Sequence, residues 1–174
     1  MNTTNHLGNL GEDVVSQLFR RKINDVYRFS VTFLGEKTQF LDFIVNLLDG
    51  EGAEYGPFFF LQVKTTTKVP GQGRGISARF SAKEVRTACA RKVPVYLVAV
   101  GCLSDDSEEI FAMAVDASLQ GGVAVVPRIF SLSMKETRLR IYDEVHAYFQ
   151  AEMPVFESQL TRKAYAFSVR KEGK

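Results

Sequence analysis

Between residues 40 and 48 the chain is apolar at every position except Asp42 and Asn46. A second run over 57–61, Pro-Phe-Phe-Phe-Leu, leads straight into Gln62-Val63-Lys64. Runs this short, rich in Ile, Val and Phe, fit strands inside a sheet better than buried helices. A fold that buries the first run must also accommodate a carboxylate, because an unpaired buried charge is strongly unfavourable. Gln62 and Lys64 lie two apart and so point to one face of their strand, with Val63 on the other. Asp49-Gly50, extended by Gly52 and Gly56, marks a turn between the two runs. The resulting hairpin can bring an Asp, an amide and an ammonium together on one face.

The rest of the chain reads as an α/β pattern. Leu7, Leu10, Val14, Val15, Leu18 and Phe19 recur at helical steps and predict an amphipathic helix over 7–22. Glu12 lies seven positions from Phe19, within about 20° of it around the helix. It therefore sits on the rim of the apolar stripe, where it is either a solvated first-turn acid or a side chain looking along the sheet. Strands are predicted over 27–33, 40–48 and 57–67, with a polar turn at 35–39. Three glycines and a proline at 70–75 predict a loop, and 76–80 has brief strand character. Ser81 and Glu84 form a capping-box signature, with Phe80 and Val85 placed as a hydrophobic staple. That helix ends before Pro94. Strands follow over 93–100 and 110–115, around an acidic turn at 104–109 that is most simply solvated. Ser133 and Glu136 predict a second capping box, opening a helix to about residue 150. Residues 170–174 are expected to fray. The order is helix, three strands, helix, two strands, helix: one α/β domain over 1–174 with a mixed sheet covered by helices.

Composition narrows the class. A chain of 174 residues with 14 Phe and 6 Tyr has ample core material. Cys89 and Cys102 give neither a disulfide framework nor a metal spacing, which fits a reducing, cytoplasmic setting. No signal-peptide pattern opens the chain, and no run approaches the roughly 18 apolar residues of a membrane span. The net charge is only +2, yet residues 62–92 hold eight bases and a single acid, Glu84. Such a block is the footprint of phosphate contacts, or else a solvated helix face beside a loop. His6 and His146 lack partners for zinc, and the glycines at 71, 73 and 75 lack dinucleotide-site spacing.

Asp42, then Gln62-Val63-Lys64, preceded by a helix bearing Glu12, resembles the PD-(D/E)XK nuclease superfamily. It is most similar to the small bacterial nuclease-like domains that carry a Gln-Val-Lys motif followed by Ser or Thr. The resemblance covers about residues 7–116 and implies a restriction-endonuclease-like core, αβββαβ, with a C-terminal helical extension at about 131–174. It departs from the family pattern at Leu41, where Pro is common, and at Gln62, which replaces an acid.

The resemblance implies a metal-dependent endodeoxyribonuclease of bacterial defence or DNA repair, with Glu12, Asp42, Gln62 and Lys64 catalytic. Glu12, Asp42, the Gln62 side chain and the Val63 carbonyl would hold Mg²⁺, with Mn²⁺ able to substitute. Two carboxylates suit one tightly held divalent ion better than two. Thr66, Lys68, Arg74, Arg79, Lys83 and Arg86 are the expected nucleic-acid contacts, with DNA the expected partner and no membrane. A homodimer or an activating protein partner is left open. Two other readings stand beside this one: a nuclease-like fold that binds nucleic acid or protein without cutting, favoured by Gln62, and a plain buried salt bridge between Asp42 and Lys64.

Overall fold

The computed structural model describes residues 3–35, 40–69, 75–103, 107–152 and 154–161. Its elements are α1 (Thr3–Arg20), β1 (Phe29–Phe33), β2 (Phe43–Leu48), β3 (Glu54–Thr66), β4 (Ile76–Phe80), α2 (Ala82–Ala90), β5 (Val95–Cys102), β6 (Glu108–Ala114), β7 (Val123–Val126) and α3 (Lys135–Gln150). Five strands form a central mixed sheet in the order β1-β2-β3-β5-β6. β1, β2 and β3 pair antiparallel, β3 and β5 parallel, and β5 and β6 antiparallel. The parallel step requires a crossover, and β4 with α2 supplies it.

Period-two burial sorts the strands between two cores. On one face Val15, Leu18 and Phe19 of α1 and Ile141 and Val145 of α3 pack on Phe29, Val45, Phe59, Leu61 and Tyr96. On the other, Phe80 and α2's Val85 and Ala88 pack on Val95, Leu97 and Ala99, with Phe60 at the margin. Phe60, Gln62 and Lys64 belong to this second face. Among the described residues no helix is long and apolar enough to cross a membrane.

Several expectations are corrected. Two strands join the predicted order: 76–80 is a full strand, β4, and it pairs antiparallel with β7, which was not anticipated. β7 is only Val-Ala-Val-Val between Gly122 and Pro127, too short to register against its surroundings. The 40–48 strand begins at Phe43, and its Ile44 and Asn46 face is only half-buried. The first capping box forms as read: Ser81 Oγ accepts from Glu84 N and Glu84 Oε2 accepts from Ser81 N. The second does not. α3 is capped at Met134 with no side-chain bond. Arg138 instead turns its guanidinium onto the carbonyls of Leu132 and Ser133, drawing that corner inward.

After α3 the chain returns to the core. Ser158 N donates to Asp116 Oδ2, Ser158 Oγ to Glu144 Oε2, and Thr161 Oγ1 to the Ala114 carbonyl. The loop predicted at 70–75, the tip of the acidic turn and residues 170–174 fall wholly or largely outside the described residues.

Candidate active site

The β2–β3 hairpin carries the site. Asp49 Oδ1 closes its turn by accepting from Glu51 N and Ala53 N, each at 2.9 Å. Register then pairs Phe43 with Leu61. One residue ahead of β2, Asp42 N donates to the Leu61 carbonyl at 2.9 Å and the Asp42 carbonyl accepts from Leu34 N at 2.8 Å. Asp42 is therefore held by backbone bonds on both sides, level with the end of the apolar part of β3.

Its side chain is held as firmly. Asp42 Oδ2 accepts from Val63 N at 2.6 Å and from Gln62 Nε2 at 2.7 Å. Gln62 Nε2 also donates to the Val63 carbonyl at 3.1 Å. Gln62 is only 4% exposed, and its Oε1 is buried without a hydrogen-bond partner among the described residues. Burial pushes the Asp42 carboxyl above its usual range, against the lowering effect of the Val63 backbone bond and the Lys64 charge. Lys64 is half-buried and makes no ion pair among the described residues; its charge acts on Asp42 and on Glu84 without contact. The plain salt bridge expected as one alternative is therefore not formed.

Glu12 reaches the same neighbourhood from α1. Gly11 is the reason α1 lies so close to β3: a Cβ at that position would stand 2.0 Å from Thr65 Oγ1. The helix carries Glu12 into a half-buried setting, where burial first, then the charges of Asp42 and Asp13, push its carboxyl up to about 6. Gly11 was not singled out in the sequence, although glycine inside a helix is a recognisable sign of close packing. Glu84 was read there only as a cap. Burial raises its carboxyl, but the Ser81 hydrogen bonds and the Lys64 charge outweigh that and leave it below the usual value.

The expected phosphate contacts lie at or past the end of β3, on β4 and on α2. Arg79 on β4 and Lys83 and Arg86 on α2 are exposed, Lys68 is exposed just past β3, and Arg74 lies outside the described residues. Thr66 is half-buried and its Oγ1 accepts from Lys68 N at 3.1 Å, which shapes the strand end. One base of the block serves packing: the Arg91 guanidinium lies over the rings of Phe40 and Phe60, at 5.5 and 5.7 Å from their centroids.

The cation implied by the resemblance can be tested against these atoms. Among the described residues no group of three or more His, Cys, Asp and Glu gathers as a metal site. The acids here are two, Glu12 and Asp42, so further donors would have to be neutral oxygens. Neighbouring ligands on an octahedral Mg²⁺ at about 2.1 Å lie roughly 3 Å apart. Gln62 Nε2 sits 2.7 Å from Asp42 Oδ2 and 3.1 Å from the Val63 carbonyl, so an amide oxygen turned into that position would stand at that spacing. The residues fit a hard cation, given that the buried Gln62 Oε1 can be turned toward it. Compared with family models, curated proteins and solved structures, the chain matches none.

Proposed function

We propose that this chain is a Mg²⁺-dependent endodeoxyribonuclease built on a restriction-endonuclease-like core. The observation that carries the reading is the meeting of Glu12 and Asp42, from separate elements, beside Gln62-Val63-Lys64. Their carboxyls are both displaced upward, and each displacement includes burial. Two half-buried acids, with the Asp42 charge adding to the burial that raises Glu12, are unfavourable for folding, and such arrangements cluster at working sites. The order β1-β2-β3-β5 with a β4–α2 crossover supports the same reading: with β4 set aside, which pairs with β7 in a separate sheet, the elements run αβββαβ.

Each residue has a role in this scheme. The Asp42 carboxylate, whose Oδ1 takes no hydrogen bond among the described residues, the Glu12 carboxylate and the Val63 carbonyl would be the oxygen donors for the cation. A divalent ion bound there would supply polarisation of the phosphate and a more acidic water. Val63 N fixes the Asp42 carboxylate in place before substrate arrives. Lys64, half-buried and without an ion pair among the described residues, meets the negative charge that grows on the phosphoryl oxygens. Lys68, Arg79, Lys83 and Arg86 hold the flanking backbone, with no groups that read base edges.

One observation favours the second reading, a nuclease-like fold that binds without cutting. The Gln62 amide already neutralises part of the Asp42 carboxylate by hydrogen bonding. Calorimetric titration with Mg²⁺ separates the two. Binding that disappears in Asp42→Ala, in a protein that still folds, supports the nuclease. Heat that is absent in the wild type, alongside retained DNA binding, supports the binding module.

A further inference from the structure

The Gln62 amide faces two of the groups that the nuclease reading gives to the cation, the Asp42 carboxylate and the Val63 carbonyl. Its Nε2 donates to Asp42 Oδ2 and to the Val63 carbonyl, so a positive dipole end stands where a cation would draw both oxygens. Its other pole, Oε1, is buried and has no partner among the described residues. A buried acceptor left without a bond calls for a physical reason in a site otherwise so fully bonded. Cation and amide hydrogens cannot share this space.

We infer that Gln62 is a two-position element: its amide turns over about Cγ–Cδ when a divalent cation enters, exchanging Nε2 for Oε1 toward Asp42 and Val63. The inference rests on the metal-dependent reading above. In the orientation of the structure both amide hydrogens are bonded and only the oxygen is orphaned. In the turned orientation the oxygen gains the cation, while the two N–H groups point to the buried position that offers Oε1 no partner. The turn is thus unfavourable without the cation and favourable with it. Neutral Gln62 would therefore act as a ligand that the ion has to displace from its own hydrogen bonds before using it. This separates it from a carboxylate at the same position, which cannot donate to Asp42 and has no such resting contact.

The side chain itself reports the turn. In ¹⁵N,¹³C-labelled protein treated with EDTA, the Gln62 Nε2 protons are expected at hydrogen-bonded shifts with slow exchange. On Mg²⁺ addition they lose both properties, and the Gln62 Cδ signal moves with the same midpoint as the Val63 backbone signals. Gln62→Glu is expected to bind Mg²⁺ at least about 10-fold more tightly, and Gln62→Met about 10-fold more weakly. Val63 and Asp42 signals that move while the Gln62 amide keeps its hydrogen-bonded shifts would overturn the turnover and leave the metal site standing. The same holds if Gln62→Met binds Mg²⁺ as well as the wild type. Mg²⁺ that moves no signal near Asp42 would overturn the turnover and the metal-dependent reading together.

Discussion

Gln62 donates its side-chain amide to Asp42 Oδ2 across 2.7 Å, from β3 to the residue that leads into β2. The neighbouring Val63 N reaches the same oxygen at 2.6 Å. Two donors on one carboxylate oxygen leave Oδ1 as the free edge of the group. The hairpin register sets this meeting, since Asp42 N lies opposite the Leu61 carbonyl. An Asp within an apolar run and a polar pair at the end of another are thus two parts of one arrangement.

Removing one acid from the pair is expected to stabilise the protein in the absence of metal. Burial and Asp42 hold Glu12 up at about 6, above its ordinary 4.5, so the folded state keeps this proton to higher pH than the unfolded chain. The Glu12 contribution therefore favours folding at low pH and is lost as pH rises from 4.5 through about 6. Glu12→Gln should raise the Tm at neutral pH in EDTA, flatten that part of the Tm–pH curve, and weaken Mg²⁺-dependent stabilisation. A Tm–pH curve identical to the wild type would contradict the placement of Glu12.

Gly11 is expected to be intolerant of a methyl group. Ala is about 1 kcal/mol better than Gly in a helix, but overpacking against Thr65 costs about 1–3 kcal/mol. Gly11→Ala should be destabilising by denaturant unfolding, and Thr65→Ala in the same chain should recover part of the loss, with a coupling of about 1 kcal/mol. Additive effects would mean that α1 does not rest on Thr65.

The two capping signatures should behave differently. Ser81→Ala removes a formed cap and should cost about 1 kcal/mol. Ser133→Ala, in an exposed side chain with no cap bond to lose, should change stability by less than about 0.5 kcal/mol. Equal losses in chemical denaturation would show that both boxes form.

Much of the fold was legible because local signals agreed. The apolar runs, the Asp49 turn and the Ser81–Glu84 box each specify a short stretch without help from elsewhere. What escaped depended on distant partners. Val123–Val126 becomes a strand because Ile76–Phe80 is beside it, and the Ser133 signature forms no cap bond while Arg138 binds two carbonyls nearby. Ser158 and Thr161 look like polar tail residues until Asp116, Glu144 and the Ala114 carbonyl receive them. At the site, residue types and spacing pointed to Asp42, Gln62 and Lys64, but the direction of the Gln62 amide and the closeness permitted by Gly11 are three-dimensional facts.

The exposed bases on β4 and α2 should act through phosphate charge. Replacing Arg79, Lys83 and Arg86 by Gln is expected to weaken DNA binding and reduce the log K against log salt slope by about 0.9 per lost contact on duplex DNA. Fluorescence anisotropy over a salt series measures it. An unchanged slope would make these side chains ordinary solvated surface.

The central claim rests on Lys64, whose half-buried ammonium has no ion-pair partner among the described residues. A group that acts on transition-state charge lowers turnover when removed, with little effect on affinity or folding. The direct measurement is plasmid nicking with Mg²⁺ or Mn²⁺ by the wild type and Lys64→Ala, beside the Tm of each. The account predicts a wild type that nicks, and a variant that keeps its Tm and its DNA affinity but loses cleavage by about 100-fold or more. A wild type that nicks with neither ion, or a variant that cuts as well as the wild type, would contradict it.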